Sequence, residues 1–418
     1  MDANTHSGTA APAAGISSGL ATLLAVTAGF SAANIYYAQP LLTAISRTFD
    51  VGPGAASLVV TTGTVGYALG IALLVPLGDV VNRKRLAVGL LGLVAVFQAL
   101  SAVAPTIQWL VVAAGVVALG AVVSPLMVAF GATLSAADQR GRVTGKIMSG
   151  VLVGVLLART GGGLVAQWFG WRAVYALAAA LVLVLAVVLH RALPTVPPAE
   201  RVRYPALLAS TARLVREEPQ LRLRSAYAFL SLAGFNAFWT SLAFLLAEPP
   251  YSYSEAVIGL FGVLGAVGAL AARIAGRLVD RGKEHLTTGL LLTAVLVSWG
   301  LVGVEGGGLL PLLLLGVVVI DFGVQGMQVA NLGVVYRLRP EARSRLTTAY
   351  LTVYFVGGVT GAGASGAAYA AFGWGGVCVV GAVFAAAALV LFTGEQLVRR
   401  RRRAARPTLR DAADDRIG

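Results

Sequence analysis

Asp138–Trp171 reads DQRGRVTGKIMSGVLVGVLLARTGGGLVAQWFGW, and 203 residues later Glu341–Trp374 reads EARSRLTTAYLTVYFVGGVTGAGASGAAYAAFGW. The two segments align without a gap. Asp138/Glu341, Arg140/Arg343, Arg142/Arg345, Thr144/Thr347, Gly154/Gly357, Gly163/Gly366 and a closing Phe-Gly-Trp (Phe169/Phe372, Gly170/Gly373, Trp171/Trp374) coincide. Ala28-Gly29-Phe30 returns as Ala233-Gly234-Phe235 at nearly the same offset. An offset this long marks two copies of one large unit, not a stack of short repeats.

The surroundings of the repeat are apolar. The 418-residue chain is 57% hydrophobic and 12% charged, with a mean hydropathy of +0.81; a soluble domain carries about 25% charged residues. Apolar runs predict twelve spans, at 18–39, 54–77, 86–104, 108–133, 144–167 and 172–191, then 225–247, 256–279, 286–304, 309–336, 346–370 and 375–397. Each suffices for a ~30 Å hydrocarbon core at 1.5 Å per residue. Backbone amides cannot go unpaired in lipid, and the alternation of a barrel is absent, so the spans are expected to be helices. The predicted fold is an all-α membrane protein of two six-helix bundles, residues 18–191 and 222–398, with a tail at 1–17, a linker at 192–221 and a basic tail at 399–418. Six helices is an even count, so the halves are parallel repeats, and two such halves imply a transporter with its substrate path between them.

The net charge of +14 raises the question of a nucleic-acid partner. The positions of the cations argue against one. Clusters at Arg83-Lys84-Arg85, Arg140/Arg142/Lys146, Arg201 to Arg224, Arg281/Lys283, Arg337 to Arg345 and Arg399 to Arg403 occupy alternate gaps between apolar runs. That positive-inside distribution predicts a multi-pass protein of the cell membrane with both termini cytoplasmic, its basic ends facing anionic headgroups. Met1–Ser18 has no Lys or Arg, so the first run is expected to be a retained span and not a cleaved signal. The Pro-rich linker predicts one amphipathic helix near Pro205–Arg216, with Leu207, Leu208 and Leu214 on the membrane surface; the charged tail after Arg399 is expected to be disordered. One cysteine, Cys378, excludes an intrachain disulfide and a multi-Cys metal site, and three scattered histidines add no metal spacing. No metal or cofactor is expected.

Two sets of residues carry a family resemblance. Val75-Pro76-Leu77-Gly78-Asp79-Val80-Val81-Asn82-Arg83-Lys84 resembles the signature G-x-x-x-D-R-x-G-R-[RK] that the major facilitator superfamily carries between spans two and three. Asp79, Arg83 and Lys84 match; Val75, Val80 and Asn82 depart. Gly276-Arg277-Leu278-Val279-Asp280-Arg281 is its second-half counterpart, with Asp280 and Arg281 as the Asp-Arg pair. Span five, Gly154-Val155-Leu156-Leu157-Ala158-Arg159-Thr160-Gly161-Gly162-Gly163, is similar to the proton-antiporter signature G-x-x-x-G-P-x-x-G-G, with Arg159 at the proline position. The fourth-span arginine of many family antiporters has no counterpart in Ala113-Ala114-Gly115-Val116-Val117. The resemblance implies twelve spans in a six-plus-six arrangement and a loop cluster that stabilises one side of the access cycle; a solvated loop charge is the plainer alternative.

Two charges fall inside spans. Arg159 lies seventeen residues beyond Arg142, and Asp321 follows Leu312–Ile320 in span ten. A charge at that depth costs at least about 2.5–3.5 kcal/mol unless it is paired, neutralised or hydrated. Asp321, Gln325 and Gln328 recur at i, i+4 and i+7 and share a helix face. Desolvation favours a protonated Asp while a nearby guanidinium favours the anion, so Asp321 is the expected proton-coupling group. Arg159 keeps its charge and can bias Asp321 or hold an anion; Arg273, in span eight, is a competing partner. A static ion pair and direct substrate binding are the alternative roles.

Family members line their cavity with spans one, four, seven and ten. The resemblance therefore implies substrate contacts from Asn34, Tyr37 and Gln39, from Asn236 and Trp239, from Gln325 and Gln328, and from Tyr354 in span eleven. Ser124-Pro125 predicts a kink in span four. Aromatic and amide groups with few fixed charges suit an amphipathic solute. The expected function is proton-coupled export of small amphipathic organic molecules by a monomer, with protons as coupling ion and no enzymatic activity; the alternative is uptake or facilitated diffusion of a metabolite. Neither a P-loop nor a catalytic cluster at membrane depth is present.

Overall fold

The computed structural model describes residues 16–136, 138–195, 203–265, 267–303, 309–339 and 342–404. The expectations for residues 1–15, for the prolines at 197 and 198 and for residues 405–418 lie outside them. The helices are α1 (Ser18–Ala33), α2 (Ala38–Phe49), α3 (Pro53–Leu69), α4 (Val75–Val80), α5 (Arg83–Ala102), α6 (Ile107–Gly120), α7 (Val123–Leu134), α8 (Arg140–Phe169) and α9 (Trp171–Ala192). There follow α10 (Tyr204–Glu217), α11 (Pro219–Ala247), α12 (Glu255–Leu264), α13 (Val267–Asp280), α14 (Glu284–Gly303), α15 (Leu310–Leu338) and α16 (Arg343–Ala404). Ten helical stretches are long and apolar enough to cross a membrane. One of them, Arg343–Arg401, is long enough for two crossings and bends at Gly373, while the shorter α12 and α13 succeed each other along span eight. Counted this way, the twelve predicted spans are present.

Prolines explain where spans break. In span one, Pro40 has no N–H to offer, and the backbone before it tightens into i→i+3 bonds, Ile35 N to Ala32 O, Tyr36 N to Ala33 O and Gln39 N to Tyr36 O. Span four breaks between α6 and α7, as Ser124-Pro125 predicts. The Ala121 carbonyl that Pro125 cannot serve accepts the buried Ser31 hydroxyl from α1 at 2.7 Å. Ser31→Ala leaves that carbonyl with only the long bond from Ser124 N at 3.3 Å and is expected to lower the melting temperature by a few degrees, about 1 kcal/mol, read by thermal unfolding in detergent. In span two a π-helical turn, Gly70–Leu74, precedes Pro76, and the Leu73 carbonyl accepts the Tyr204 hydroxyl at 2.8 Å.

The repeated Phe-Gly-Trp forms the same corner twice. Gly170 and Gly373 have φ, ψ of +79°, 160° and +61°, −155°, a combination that essentially only glycine adopts. The reversal leaves Phe169 and Phe372 76% and 78% exposed and drives Trp171 and Trp374 inward, 4% exposed each. Both indoles find acceptors, Thr48 Oγ1 at 3.0 Å and the Val302 carbonyl at 2.9 Å. Apolar side chains exposed along α8, α9 and α16 are the lipid-facing surface of a membrane protein.

The chain divides into two compact units: residues 1–51, 62–210 and 253–263, and residues 52–61, 211–252 and 264–418. Each unit therefore takes in a short segment from the other half of the sequence. Small residues are the reason. In the first unit a β-carbon at Gly163 would overlap the Glu255 carbonyl of α12; in the second, one at Gly366 would lie 2.6 Å from Ser57 Cβ. Within the second unit Gly357 and Gly361 abut the Phe229 and Ala233 backbones, and Ser365 Oγ donates to the Ala237 carbonyl at 2.6 Å. Three small residues at four-residue spacing on α16 thus meet three carbonyls at the same spacing on α11.

Three expectations need correction. Leu207 and Leu214 are 3% and 5% exposed, so α10 turns this stripe to protein instead of a membrane surface. The basic tail is helical as far as Ala404, because Arg399 pairs with Glu395 one turn earlier at 2.9 Å and bonds His285 of α14. Span eight is two helices and not one, interrupted after the Gly262/Gly265 region.

Candidate functional site

Each unit carries its own buried polar cluster. In the first, α8 brings Arg159 inward, 4% exposed. Its Nε donates to Gln39 Oε1 at 2.9 Å, and its guanidinium lies 5.1 Å from the centroid of the Tyr36 ring. Both partners come from the broken part of span one, so the Pro40 irregularity creates the place the arginine occupies. Gly262 of α12 makes room for it: a β-carbon there would sit 2.8 Å from Arg159 Cβ. Thr160 follows with a bond from Oγ1 to the Gly259 carbonyl at 3.4 Å.

Asn34 extends this polar region. Its amide nitrogen donates to the Phe30 carbonyl at 2.9 Å, and its oxygen accepts from Gln98 Nε2 of α5 at 2.7 Å. Gln98 is fully buried and did not stand out in the sequence; a lone amide inside an otherwise apolar span was the available signal. Tyr37 is buried but lines an apolar cavity.

In the second unit α15 presents Asp321, 1% exposed, the most deeply buried carboxylate among the described residues. Gly268 of α13 lies against this face: a β-carbon there would be 2.7 Å from Gln325 Cγ and 3.7 Å from the Asp321 carbonyl oxygen. One turn on, Gln328 Oε1 accepts the Tyr354 hydroxyl at 3.0 Å, and Tyr354 stacks on Tyr350 with ring centroids 6.2 Å apart. Asn331 is fully buried on the same helix. The i, i+4, i+7 face read from the sequence is thus packed on α13 and α16. Asn236 Nδ2 donates to the Gly358 carbonyl at 3.2 Å, and Trp239 is buried edge-on to Phe238. Arg273 is exposed on α13 and stands apart from these buried groups.

The loop motif is ordered by its matching residues. Arg83 bonds Asp79 Oδ1 at 2.6 Å, the Gly78 carbonyl at 2.9 Å and Thr133 Oγ1 at 2.9 Å, while Lys84 donates to the Leu193 carbonyl at 2.7 Å. Asn82, where the signature has Gly, caps α5 by accepting from Arg85 N. Asp280 pairs with Arg337 of α15 at 3.8 Å and not with its neighbour Arg281; both partners are more than half exposed, so this pair contributes little.

A second buried arginine was missed. Arg224, 1% exposed, donates from Nη1 to Thr288 Oγ1 at 3.1 Å, and its guanidinium lies 5.9 Å from the centroid of the Tyr227 ring; the Tyr227 hydroxyl in turn reaches Glu395 Oε2 at 2.7 Å. In sequence it closes the basic run of the linker, which reads as solvated charge.

A model of the Major Facilitator Superfamily matches residues 24–353. The chain is 41% identical over 377 residues to the uncharacterized transporter YgaY of Escherichia coli O157:H7, an alignment covering 90% of this chain and 95% of that one. It is 34% identical to the transporter SCO4007 of Streptomyces coelicolor over 86% of this chain and 83% of that protein. Among solved structures it is similar to a bacterial homolog of the human lysosomal transporter Spinster (TM-score 0.72, 16% identity, 90% and 97% coverage). It is also similar to the nucleoside transporter NupG (TM-score 0.70, 14% identity, 90% and 98% coverage).

Proposed function

Because the chain belongs to the Major Facilitator Superfamily and is a multi-pass membrane transporter, we propose that it exports small amphipathic organic molecules in exchange for protons, by alternating access. The observation that carries this reading is Asp321, an acid almost wholly withdrawn from solvent on a helix face whose other polar members are neutral amides. A carboxylate at membrane depth is a group that can load and release a proton as its hydration changes. Gln325, Gln328 and Tyr354 of the second unit are amide and aromatic groups of the kind that suits a solute with a polar head and an apolar body. The alternating basic loops support an orientation with Arg83, Arg140 and Arg345 at the cytoplasmic face of a cell membrane.

Arg159 favours a second reading. It occupies the proline position of the antiporter signature and makes a fixed buried cation, which suits uptake or facilitated diffusion of a solute bearing an anionic group. NupG, a nucleoside transporter, shows that the same fold serves a metabolite. Flux of cationic, neutral and anionic solutes in proteoliposomes, with and without an imposed pH gradient, separates the two. Export predicts solute movement that follows the gradient; flux of an anionic metabolite indifferent to it would replace this reading with the second.

A further inference from the structure

Between α1, α8 and α9 the first unit holds a cavity of about 460 Å³ whose lining is almost entirely apolar. Its shape follows from the hairpin. Helices α8 and α9 join at Gly170 and form its two sides, and α1 supplies the floor. The floor is smooth because Ala25 and Gly29 meet Gly150 and Gly154 backbone to backbone. The walls are exposed: Val153 is 53% and Leu157 59% exposed on α8, and Leu177 48% on α9. From Ser149 to Val165 the lining runs sixteen residues along α8, about 24 Å at 1.5 Å per residue, the reach of one extended acyl chain.

One end of this crevice is basic. Lys146 lies one turn of α8 before Ser149, its Nζ held at the mouth by Thr22 Oγ1 at 2.6 Å and the Ser18 carbonyl at 3.2 Å. Arg142 is one further turn out and exposed, and Arg191 ends α9 on the same side. Among the described residues neither Lys146 nor Arg142 has a carboxylate partner within 4.0 Å. Two cations without a carboxylate partner, with Arg191 on the same side, at the open end of an apolar slot of acyl-chain length describe complementarity to one molecule, an amphiphile with an anionic head.

We propose that this crevice is a binding site for a single anionic phospholipid, its acyl chain between α8 and α9 and its phosphate at Lys146 and Arg142. The site requires only that the protein be embedded in a membrane and is independent of the substrate and of proton coupling. Each basic residue near a headgroup contributes about fivefold in affinity, so the site discriminates phosphatidylglycerol from phosphatidylcholine while the slot holds the chain of either.

The test is native mass spectrometry of protein released from nanodiscs of equal phosphatidylglycerol and phosphatidylcholine. One retained phosphatidylglycerol per protein is expected, favoured about tenfold or more over phosphatidylcholine. Gly161→Leu fills the slot, and a β-carbon at Gly161 meets nothing within 4 Å, so the fold tolerates it; retention of both lipids should drop at least about fivefold with an unchanged melting temperature. Lys146→Gln should keep lipid retention but lose the preference about fivefold. Equal retention of the two lipids by the unaltered protein, or undiminished phosphatidylglycerol on Gly161→Leu, overturns the proposal. Should Gly161→Leu unfold, Val153→Trp on the exposed wall fills the same slot and carries the same two outcomes.

Discussion

Asp321→Asn is expected to abolish the response of solute flux to an imposed pH gradient while leaving solute exchange at equal pH intact. Asparagine keeps the size of the side chain and one hydrogen-bond acceptor but cannot take up or release a proton. A gradient of one pH unit amounts to about 1.4 kcal/mol per proton, so one coupled proton corresponds to about tenfold in solute accumulation. That tenfold is what the variant should lose. Proteoliposomes with a fixed internal buffer and a stepped external pH give the measurement directly. Flux of Asp321→Asn that still tracks the gradient would remove Asp321 from proton coupling and leave it as a structural carboxylate held under Gly268 and α13.

The largest expected effect on folding comes from Gly361→Leu. At this position a β-carbon would overlap the Ala233 carbonyl oxygen and lie 2.6 Å from its carbon and 2.7 Å from its Cα. The obstruction is backbone, which cannot rotate away as a side chain does, so α11 and α16 must separate. Overpacking against side chains costs about 1–3 kcal/mol, and a clash with a helix backbone should exceed it. The expected result is loss of the monodisperse peak in detergent or a fall of more than about 10 °C in melting temperature. Gly161→Leu is the matched comparison: the same exchange, in span five, where the added atoms meet open space. Comparable melting of the Gly361 variant and the unaltered protein would mean that this helix contact is looser than described.

The gapless repeat made the architecture legible before any coordinates. Its invariant glycines are the positions where helix backbones touch or φ turns positive, requirements local enough to leave a trace in each copy. Proline placement was readable in part: Ser124-Pro125 marked the break in span four that admits Ser31, whereas the break before Pro40 that admits Arg159 was not foreseen. What escaped was direction. Leu207 and Leu214 have the spacing of an amphipathic face, but apolar periodicity cannot say whether protein or lipid covers it. Arg224 escaped for a related reason. Its burial depends on Thr288, 64 residues later in the chain, and nothing near Arg224 in sequence distinguishes it from the solvated linker cations. The stripe of Asp321, Gln325 and Gln328 was visible as a face, but its partners Gly268 and Tyr354 were not, because helix-to-helix register is set by packing.

The exchange of short segments between the compact units bears on how the polypeptide is made. Arg159 and Gly163 are translated with the first six spans, yet the helix that covers them, Glu255–Leu264, is drawn from beyond the linker. At about 5–20 residues per second, the roughly ninety residues separating Gly163 from Glu255 leave that surface uncovered for several seconds during synthesis. Until that helix arrives, the face of α8 at Arg159 and Gly163 lies uncovered in a half-made bundle, although the guanidinium already has Gln39 and Tyr36 of span one. The nascent first half is therefore an unfinished object, and its completion is tied to the insertion of the second.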